Sequence, residues 1–587
     1  MWTRQLSRPV TNIVTHSPRV ARSRLVSVSA CRTYANANGT KRASERPRQN
    51  TGKRESDSTI WLRNTIGLFG TASAAFLIYS YVSKENQVAK PDEAKPHEPS
   101  KLAGDFESLY VQKKKNLESP GVYLWGTNYY RVVDPESNES VVKAPRKISY
   151  FDGQVLRDLK IDEKSGAGIT ENGDLVQWGK GFSESSFKPT KTLTGKNLTS
   201  LCMSRDRIIA LASDGKVYSL PIAKSDQEGG RKAQESSWVP FWSGTSSLSY
   251  RILKPALGMT EKVIAVSGGL DHALLLTNSG RVFSVASSME LFPAFGQLGI
   301  PGLSWSTRPK GPVDTCHEIS KLKGCKITQI AAGDYHSLAL SKDGRVYVFG
   351  DNSFGQLGID FKSDEQFVDT PTLLLLDNVY RKSTWVPKVT SIAAGGANSF
   401  CTVDAQRILA PGEDPATVRD AGRITADTLA CGRGIWGSLG NGKWTHLQDS
   451  FAKVKALSGL FEYDERSNTV SPIRLRNISV GTTHASAVMD NKPQKNNSST
   501  SLDKSNDWGY DALWWGGNEH YQLGTGKRSN MPKPTYINTP SDPKQGSQEK
   551  ARLQIMPRHK GKVDNRTKSM EQKIECGRFV SAIYSAM

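Results

Sequence analysis

Three histidines stand at one position of a recurring short motif, and their imidazoles are the side chains of this sequence that suggest general base catalysis or metal binding. The motif is a glycine followed three positions later by histidine, and its copies are Gly269 with His272, Gly333 with His336, and Gly481 with His484. Two further copies keep the glycine but not the histidine, since Asn398 follows Gly395 and Val580 follows Gly577. Because these histidines recur at one position of the repeat, we expect them to have a structural role. We interpret them as hydrogen-bonding to backbone between neighbouring units. We interpret the glycines as turn and close-approach positions.

Other chemistry is not supported by the sequence. The segment 524–528 resembles the end of a phosphate-binding loop, but Tyr521 occupies the earlier glycine position and Arg528 the hydroxyl position. The seven cysteines include no Cys-x-x-Cys pair, and there is no Gly-x-Ser-x-Gly motif. Cys316 and Cys325 are close enough in sequence to pair in an oxidising compartment, although separate buried thiols are the favoured interpretation. We therefore expect no catalytic residue, no cofactor-binding residue and no metal site, and the chain is not expected to be an enzyme.

A second repeat indicates which elements position these residues. Four segments share a small or polar residue, then Asn, Asp or Ser, then Gly, then alternating apolar positions, and they are residues 170–176, 212–218, 277–283 and 341–347. This pattern is typical of a tight turn between two strands, because turn residues tolerate the positive φ angles required there. Repetition of such hairpins predicts an all-β repeat architecture.

The best-preserved copy shows the complete unit. Residues 327–333 read as a first strand, 336–341 as a second and 345–349 as a third, with a loop at 354–358. Counterparts of the third strand are residues 122–126, 175–179, 217–220, 282–285, 346–350, 429–432 and 513–516. Because one such sheet cannot bury both faces alone, the sheets must stack, and radial stacking predicts a seven-bladed β-propeller.

The chain ends supply complementary parts of one unit. Residues 576–584 align with the first two strands of a unit and lack the third, whereas residues 122–126 are a third strand without its partners. We therefore expect the N- and C-terminal strands to share one closing blade, which would leave no open edge.

These motifs resemble the regulator of chromosome condensation family of seven-bladed propellers. The resemblance extends over residues 121–587 and rests on the three Gly-x-x-His copies and on the loops at 295–299, 354–358, 436–440 and 521–524. It is weaker in the first units, where Ser165 and Arg207 stand at the histidine position and the glycine is absent. The resemblance implies a protein that binds partners through loops on its two broad faces.

The N-terminus has the composition of a targeting sequence. Residues 1–34 contain several arginines, serines and threonines and no acidic residue, which is typical of a mitochondrial presequence. Arg32 precedes Ala35 at the spacing of a matrix-peptidase site, and residues 35–59 would then form a basic matrix segment. A basic tail without a targeting role is the alternative.

One apolar stretch follows. Residues 60–82 predict a transmembrane helix, with Trp61, Tyr79 and Tyr81 at interfacial positions, although a buried helix is the alternative. Basic residues dominate the N-terminal flank, so the N-terminus is predicted in the matrix. Residues 83–119 form a linker, and the propeller of residues 120–587 is predicted in the intermembrane space.

Function follows from location and resemblance. The layout resembles fungal inner-membrane members of the family, which implies a protein-interaction scaffold at the inner mitochondrial membrane and an assembly factor for respiratory complex III. The family resemblance also leaves open a guanine-nucleotide exchange factor or regulator of a mitochondrial GTPase. Matrix RNA or mitoribosome binding is a third hypothesis, but nucleic acid is disfavoured, because much of the net charge of +21 lies in the N-terminal segment and in polar insertions.

Overall fold

The computed structural model of the chain describes residues 120–587 with short internal gaps. The gaps are residues 236–243, 361–363, 365, 381–383, 411, 415–421, 465–467, 492–508, 538–552 and 564–565. The described part is an all-β fold built from four-stranded antiparallel groups, which we call sheets A to G. This confirms the all-β part of the predicted fold class.

Strands are numbered in chain order. Sheet A combines both chain ends, as β33 (Arg566–Cys576), β34 (Val580–Ala586), β1 (Val122–Thr127) and β2 (Val141–Lys147). Sheet B contains β3 (Leu156–Ile161), β4 (Gly166–Thr170), β5 (Leu175–Trp178) and β6 (Thr190–Lys191). Sheet C contains β7 (Leu198–Met203), β8 (Arg207–Ala212), β9 (Val217–Pro221) and β12 (Arg251–Leu253). Sheet D contains β13 (Val263–Gly268), β14 (His272–Thr277), β15 (Val282–Ala286) and β16 (His317–Glu318).

The last three sheets follow the same plan. Sheet E contains β17 (Ile327–Ala332), β18 (His336–Ser341), β19 (Val346–Asp351) and β20 (Phe367–Leu373). Sheet F contains β21 (Trp385–Gly395), β22 (Asn398–Arg407), β23 (Ile424–Gly434) and β24 (Thr445–Lys453). Sheet G contains β27 (Leu475–Val480), β28 (His484–Met489), β29 (Tyr510–Gly516) and β30 (Met531–Thr535).

Short elements decorate these sheets. The additional strands are β10 (Gln234–Glu235) with β11 (Gly244–Thr245), β25 (Phe461–Asp464) with β26 (Thr469–Pro472), β31 (Gln554–Ile555) beside β29, and β32 (His559–Val563) beside β33. The helices of the described residues are α1 (Lys224–Gly229) and α2 (Asp377–Tyr380), with 3-10 turns at Ser149–Phe151, Ser320–Leu322 and Lys455–Leu457.

The repeated hairpins form as the sequence predicts. Gly173, Gly215, Gly280 and Gly344 adopt φ angles of 81°, 89°, 87° and 87°, each between the second and third strand of its sheet. An L-residue with a Cβ atom pays for this conformation, which is why glycine marks every copy. The pattern therefore reports a backbone requirement and not a ligand site.

The chain ends meet in sheet A. Val122–Gly126 of β1 pairs antiparallel with Val580–Tyr584 of β34, and β34 also pairs with β33. A single parallel bridge between Leu156 and Ala586 joins sheet A to sheet B. The predicted division of strands between the two ends is therefore observed, and the closed ring of seven blades stays a prediction.

The core lies largely between neighbouring sheets. Trp125 of sheet A packs edge-on against Trp514 of sheet G, with ring centroids 6.4 Å apart, and both side chains are fully buried. The indole Nε1 of Trp125 donates at 2.8 Å to the carbonyl of Gln522, in the loop between β29 and β30. Trp178 Nε1 donates at 2.8 Å to the carbonyl of Val132, in the loop between β1 and β2. Buried indoles thus combine apolar packing with a hydrogen bond to the preceding unit, as expected for inter-unit packing.

The predicted presequence, matrix segment, transmembrane helix and linker at residues 1–34, 35–59, 60–82 and 83–119 lie outside the described residues. Within residues 120–587, where described, no helix is long and apolar enough to cross a membrane.

Candidate functional site

The three repeat histidines form one contact, made three times. His272 Nε2 lies 2.8 Å from Ser337 Oγ, His336 Nε2 lies 2.9 Å from Ser399 Oγ, and His484 Nε2 lies 2.7 Å from Ser581 Oγ. In every case the histidine begins the second strand of one sheet and the serine belongs to the second strand of the next sheet. We call each pair an inter-sheet relay.

The serine fixes the tautomer of the histidine. Ser337, Ser399 and Ser581 donate their hydroxyl hydrogens to the carbonyls of Gln297, Gln356 and Gln522, at 3.0, 2.6 and 2.7 Å respectively. A hydroxyl has one hydrogen, so the serine oxygen must accept from the imidazole and Nε2 must carry the proton. Nδ1 of each ring is buried and has no hydrogen-bond partner among the described residues. The sequence predicts that these histidines bond to backbone between units, and the structure places a serine hydroxyl between each imidazole and a backbone carbonyl.

The histidine and the serine of the relay are kept or replaced together. Sheets D, E and G supply the histidines, and sheets E, F and A supply the serines. Between sheets F and G, Asn398 stands at the histidine position and Ala485 at the serine position, so both halves are replaced together. This joint replacement marks the relay as one structural unit.

Burial makes these imidazoles unsuitable for catalysis. Burial lowers the pKa of His272, His336 and His484 to about 3 in each case, so the rings stay neutral at physiological pH. No group of three or more His, Cys, Asp or Glu side chains able to hold a metal ion occurs in the described part of the chain.

The repeat glycines allow the close approach of neighbouring loops. A Cβ atom on Gly333 would lie 2.1 Å from His336 Cε1 and 2.7 Å from the Gly396 carbonyl. A Cβ atom on Gly395 would lie 2.1 Å from the Val480 carbonyl, and one on Gly577 would lie 2.1 Å from the Ile161 carbonyl. A Cβ atom on Gly269 would lie 2.2 Å from the Gly333 carbonyl, and one on Gly481 would lie 2.4 Å from the Gly577 carbonyl. Only hydrogen fits at these positions.

The loops between the first and second strands, which we call the inner loops, carry a second polar cluster. Arg578 of sheet A contacts Asp162 of sheet B at 3.5 Å and Asp334 of sheet E at 3.3 Å. Arg205 of sheet C pairs with Asp271 of sheet D at 2.8 Å. The inner loops of sheets A and E are distant in the order of sheets, so Arg578 joins units that are not neighbours along the chain.

Burial governs the charges of this cluster. Burial raises the pKa of Asp334 and of Asp162, and Arg578 opposes the shift in both. Burial would lower the pKa of Arg578, but Asp334 and Asp162 outweigh it and raise that pKa. The cluster therefore balances its own charges and resembles an internal staple more than an open binding site.

A cavity beside the inner loops of sheets E and F has a different character. It has a volume of about 220 Å³, and its lining includes Phe295, Phe354, Trp436, Arg433, Asn398, Asp351 and Asp334. We call it the aromatic pocket. The Arg433 guanidinium carbon lies over two rings, 4.6 Å from the Phe354 centroid and 4.7 Å from the Trp436 centroid. Stacking of this kind holds a cation without neutralising it.

The sequence motifs identified the aromatic residues of this pocket only as parts of repeated loops. Phe295, Phe354 and Trp436 each open a loop that the repeat pattern contains, whereas Arg433 and the pocket itself were missed. The signal that could have identified Arg433 is its position, because it stands where the preceding copy of the repeat has Asp351.

Comparisons with known proteins agree with these features. Models of the "Regulator of chromosome condensation (RCC1) repeat" match residues 327–356 and 343–402. The chain is 26% identical over 465 residues to "Protein FMP25, mitochondrial" of Saccharomyces cerevisiae, across 72% of this chain and 69% of that protein. It is 24% identical over 371 residues to "RCC1 domain-containing protein RUG3, mitochondrial" of Arabidopsis thaliana, across 60% of this chain and 69% of that protein.

A solved structure supports the fold. The crystal structure of human WBSCR16 aligns with 80% of this chain and 99% of its own, with a TM-score of 0.50 and 18% identity. At this identity the likeness concerns the fold alone. Residues 327–402 therefore match repeats of the regulator of chromosome condensation family, the described part of the chain is an all-β fold, and proteins named as mitochondrial are among the relatives.

Proposed function

We propose that this chain is a non-enzymatic mitochondrial scaffold that binds other proteins, and that it assists the assembly of respiratory complex III at the inner membrane. The observation that carries the binding role is the aromatic pocket, in which an arginine is held by ring stacking and faces a cavity. Aromatic residues and arginine are the side chains most often found at the centre of protein interfaces. The repeat histidines, by contrast, are committed to structure.

The scaffold is proposed to be a ring of seven blades closed by sheet A. The pairing of β1 with β34 and the relay from His484 to Ser581 support this closure. Deletion of residues 577–587 removes β34, which pairs with β1, β33 and β3. We expect the truncated chain to be unfolded, and cooperative unfolding of that chain near the full-length midpoint would argue against a closed ring.

Mitochondrial location is supported by the named relatives and by the composition of residues 1–34. The proposed tether at residues 60–82 would place the N-terminus in the matrix and the propeller in the intermembrane space. Tethering raises the effective concentration of the binding surface near membrane partners, so weak contacts suffice.

Complex III is proposed as the client on the resemblance to fungal inner-membrane members of the family. The test is native gel electrophoresis of mitochondria from cells that lack the chain, with the wild-type chain restored as the control. We expect less mature complex III, accumulation of a smaller subassembly, and normal amounts of the other respiratory complexes.

Two results would contradict this role. Normal complex III in cells that lack the chain would show that complex III is not the client. Equal loss of every respiratory complex would indicate an earlier defect, such as one in mitochondrial translation. A co-purified subassembly that disappears when the chain is removed would link the scaffold to its client directly.

A further inference from the structure

The third-strand ends of sheets E and F can be compared position by position, because they are two copies of one repeat. Sheet E reads Gly-Asp-Asn-Ser-Phe-Gly-Gln over residues 350–356, and sheet F reads Gly-Arg-Gly-Ile-Trp-Gly-Ser over residues 432–438. In sheet E, Asp351 accepts a hydrogen bond from Gln356 Nε2 at 2.7 Å, and Asn352 Oδ1 accepts one from the Leu357 backbone at 3.1 Å. These bonds hold the loop together.

Sheet F has lost this internal network. Arg433, Gly434 and Ser438 stand at the positions of Asp351, Asn352 and Gln356. The Arg433 amide donates to the Ala397 carbonyl at 3.0 Å, as the Asp351 amide of sheet E donates to the Tyr335 carbonyl at 2.9 Å, and Ser438 Oγ adds a bond to the Arg433 carbonyl at 2.7 Å. The guanidinium of Arg433 is therefore not required to shape its own loop.

The guanidinium is fixed in place but has unused donors. It lies over the rings of Phe354 and Trp436, and its Nε is buried without a hydrogen-bond partner in the described part of the chain. No described carboxylate forms an ion pair with it. Cation–π contacts hold a guanidinium without neutralising its charge, so its N–H donors can bind a ligand at little further cost in side-chain entropy.

The pocket also contains an unused acceptor. Asn398 is 1% exposed, lines the cavity, and has an Oδ1 atom without a hydrogen-bond partner among the described residues. A primary amide offers both donors and an acceptor, so Asn398 is suited to a polar group of a bound chain. A buried polar atom without a partner is costly unless a ligand or water satisfies it.

The two carboxylates of the lining are already engaged. Asp351 is 8% exposed and accepts hydrogen bonds from Gln356 and Ser353, while Asp334 pairs with Arg578. Their charge is thus directed to internal donors. Arg433 is therefore the charged side chain of the lining that has no ion-pair partner among the described residues. Its planar fork of N–H donors matches the geometry of a carboxylate.

We propose that the aromatic pocket binds the carboxylate side chain of an Asp or Glu in an acidic segment of a partner protein. The cavity of about 220 Å³ is smaller than the ~300–1,000 Å³ of typical cofactor pockets and suits a single side chain. This inference rests on the proposed scaffold function and specifies the chemistry that the scaffold recognises.

The test uses the purified full-length chain in detergent and three fluorescein-labelled, end-blocked pentapeptides. The peptides are Gly-Gly-Glu-Gly-Gly and its Gln and Lys counterparts, and binding is followed by fluorescence anisotropy. We expect the Glu peptide to bind at least about tenfold more tightly than the Gln peptide, because only the former offers a charged fork to Arg433. Arg433→Gln is expected to remove this preference.

Two further variants separate recognition from folding. Arg433→Lys keeps the charge but lacks the planar fork, so we expect it to retain only part of the preference for Glu. Arg345→Gln alters an exposed arginine that pairs with Asp343 on a hairpin turn, and it should bind like the wild type. Unchanged thermal unfolding of Arg433→Gln shows that its loss is one of recognition, and if that variant fails to fold the Lys variant decides.

Three outcomes would overturn the proposal. Equal affinity for the Glu and Gln peptides would show that charge is not recognised, and preference for the Lys peptide would show that Asp334 and Asp351 dominate the cavity. Absence of saturable Glu binding up to about 10 mM would also exclude the site, since such affinity is too weak for selective recognition. None of these results alters complex III levels, so failure of this inference is distinguishable from failure of the proposed function.

Discussion

The buried relay histidines predict a specific sensitivity to acid. Burial lowers the pKa of His272, His336 and His484 to about 3, whereas an imidazole in the unfolded chain has a pKa of about 6.5. Between these values the unfolded chain binds protons that the folded chain does not. The associated stability is therefore complete above about pH 6.5 and is lost as the pH falls toward 3.

The magnitude follows from linkage. Lowering the pH from about 7 to about 5 costs about 2 kcal/mol of unfolding free energy per relay histidine, and about 6 kcal/mol for the three. Several buried carboxylates have raised pKa values, among them Asp162 and Asp334, and these oppose the loss in the acidic range. A single substitution isolates the histidine contribution, because the carboxylates are common to both proteins.

His336→Asn is the informative variant, because asparagine stands naturally at the equivalent position 398. We expect it to lose about 1–3 kcal/mol at pH 7 through the broken relay to Ser399. The difference from wild type should then shift by about 2 kcal/mol in favour of the variant at pH 5, because the variant has one imidazole fewer to protonate. Urea unfolding of the full-length chain at pH 7, 6 and 5, followed by tryptophan fluorescence, measures both quantities.

Ser399→Ala is the matched control. It removes the same hydrogen bond but keeps the imidazole, so it should be destabilised by a similar amount at every pH. The reasoning would be refuted if His336→Asn remained below wild type by a constant amount between pH 7 and pH 5. That result would mean that the imidazole carries the same charge in the folded and unfolded chains.

Two further predictions concern the junction of the chain ends. Gly577→Ala places a Cβ atom 2.1 Å from the Ile161 carbonyl, so we expect a loss of about 3 kcal/mol or more in urea unfolding, whereas Gly229→Ala, which meets nothing within 4 Å, should change stability little. A Gly577→Ala chain as stable as wild type would contradict this packing. Arg578→Met leaves Asp334 without its cation and should cost about 1–2 kcal/mol, a figure reduced for partial exposure, and adding Asp334→Asn should recover part of the loss. Additive effects in that double variant would show that the pair does not interact.

The architecture was predictable because it repeats. Gly173 and Gly344 indicate hairpin turns, because the turn requires a positive φ angle. This signal can be recognised from the neighbouring residues in the sequence alone. The division of sheet A between β33, β34 and β1 was visible as an incomplete unit at each end of the chain. Four or more copies of one pattern allow such reasoning without any knowledge of tertiary contacts.

The contacts between sheets were less predictable. The serine partner of His336 lies 63 positions away, and the sequence alone favoured a backbone acceptor. The staple between Arg578 and Asp334 spans 244 positions and belongs to no repeat, so nothing in the local pattern signals it. Arg433 differs from the residue that the repeat has at this position. The significance of this difference is visible only in the structure, where Phe354 and Trp436 contact the guanidinium. Sequence repeats predict what the copies share, whereas the candidate site lies where one copy differs.

The most direct test of the proposed scaffold is its membrane topology. Protease is added to intact mitochondria and to mitoplasts with a ruptured outer membrane, while a C-terminal tag and the resistance of the chain to carbonate extraction are followed. A tethered propeller in the intermembrane space predicts degradation only in mitoplasts, together with resistance to extraction. Protection until detergent is added would place the propeller in the matrix and contradict the proposed role at the outer face of the inner membrane.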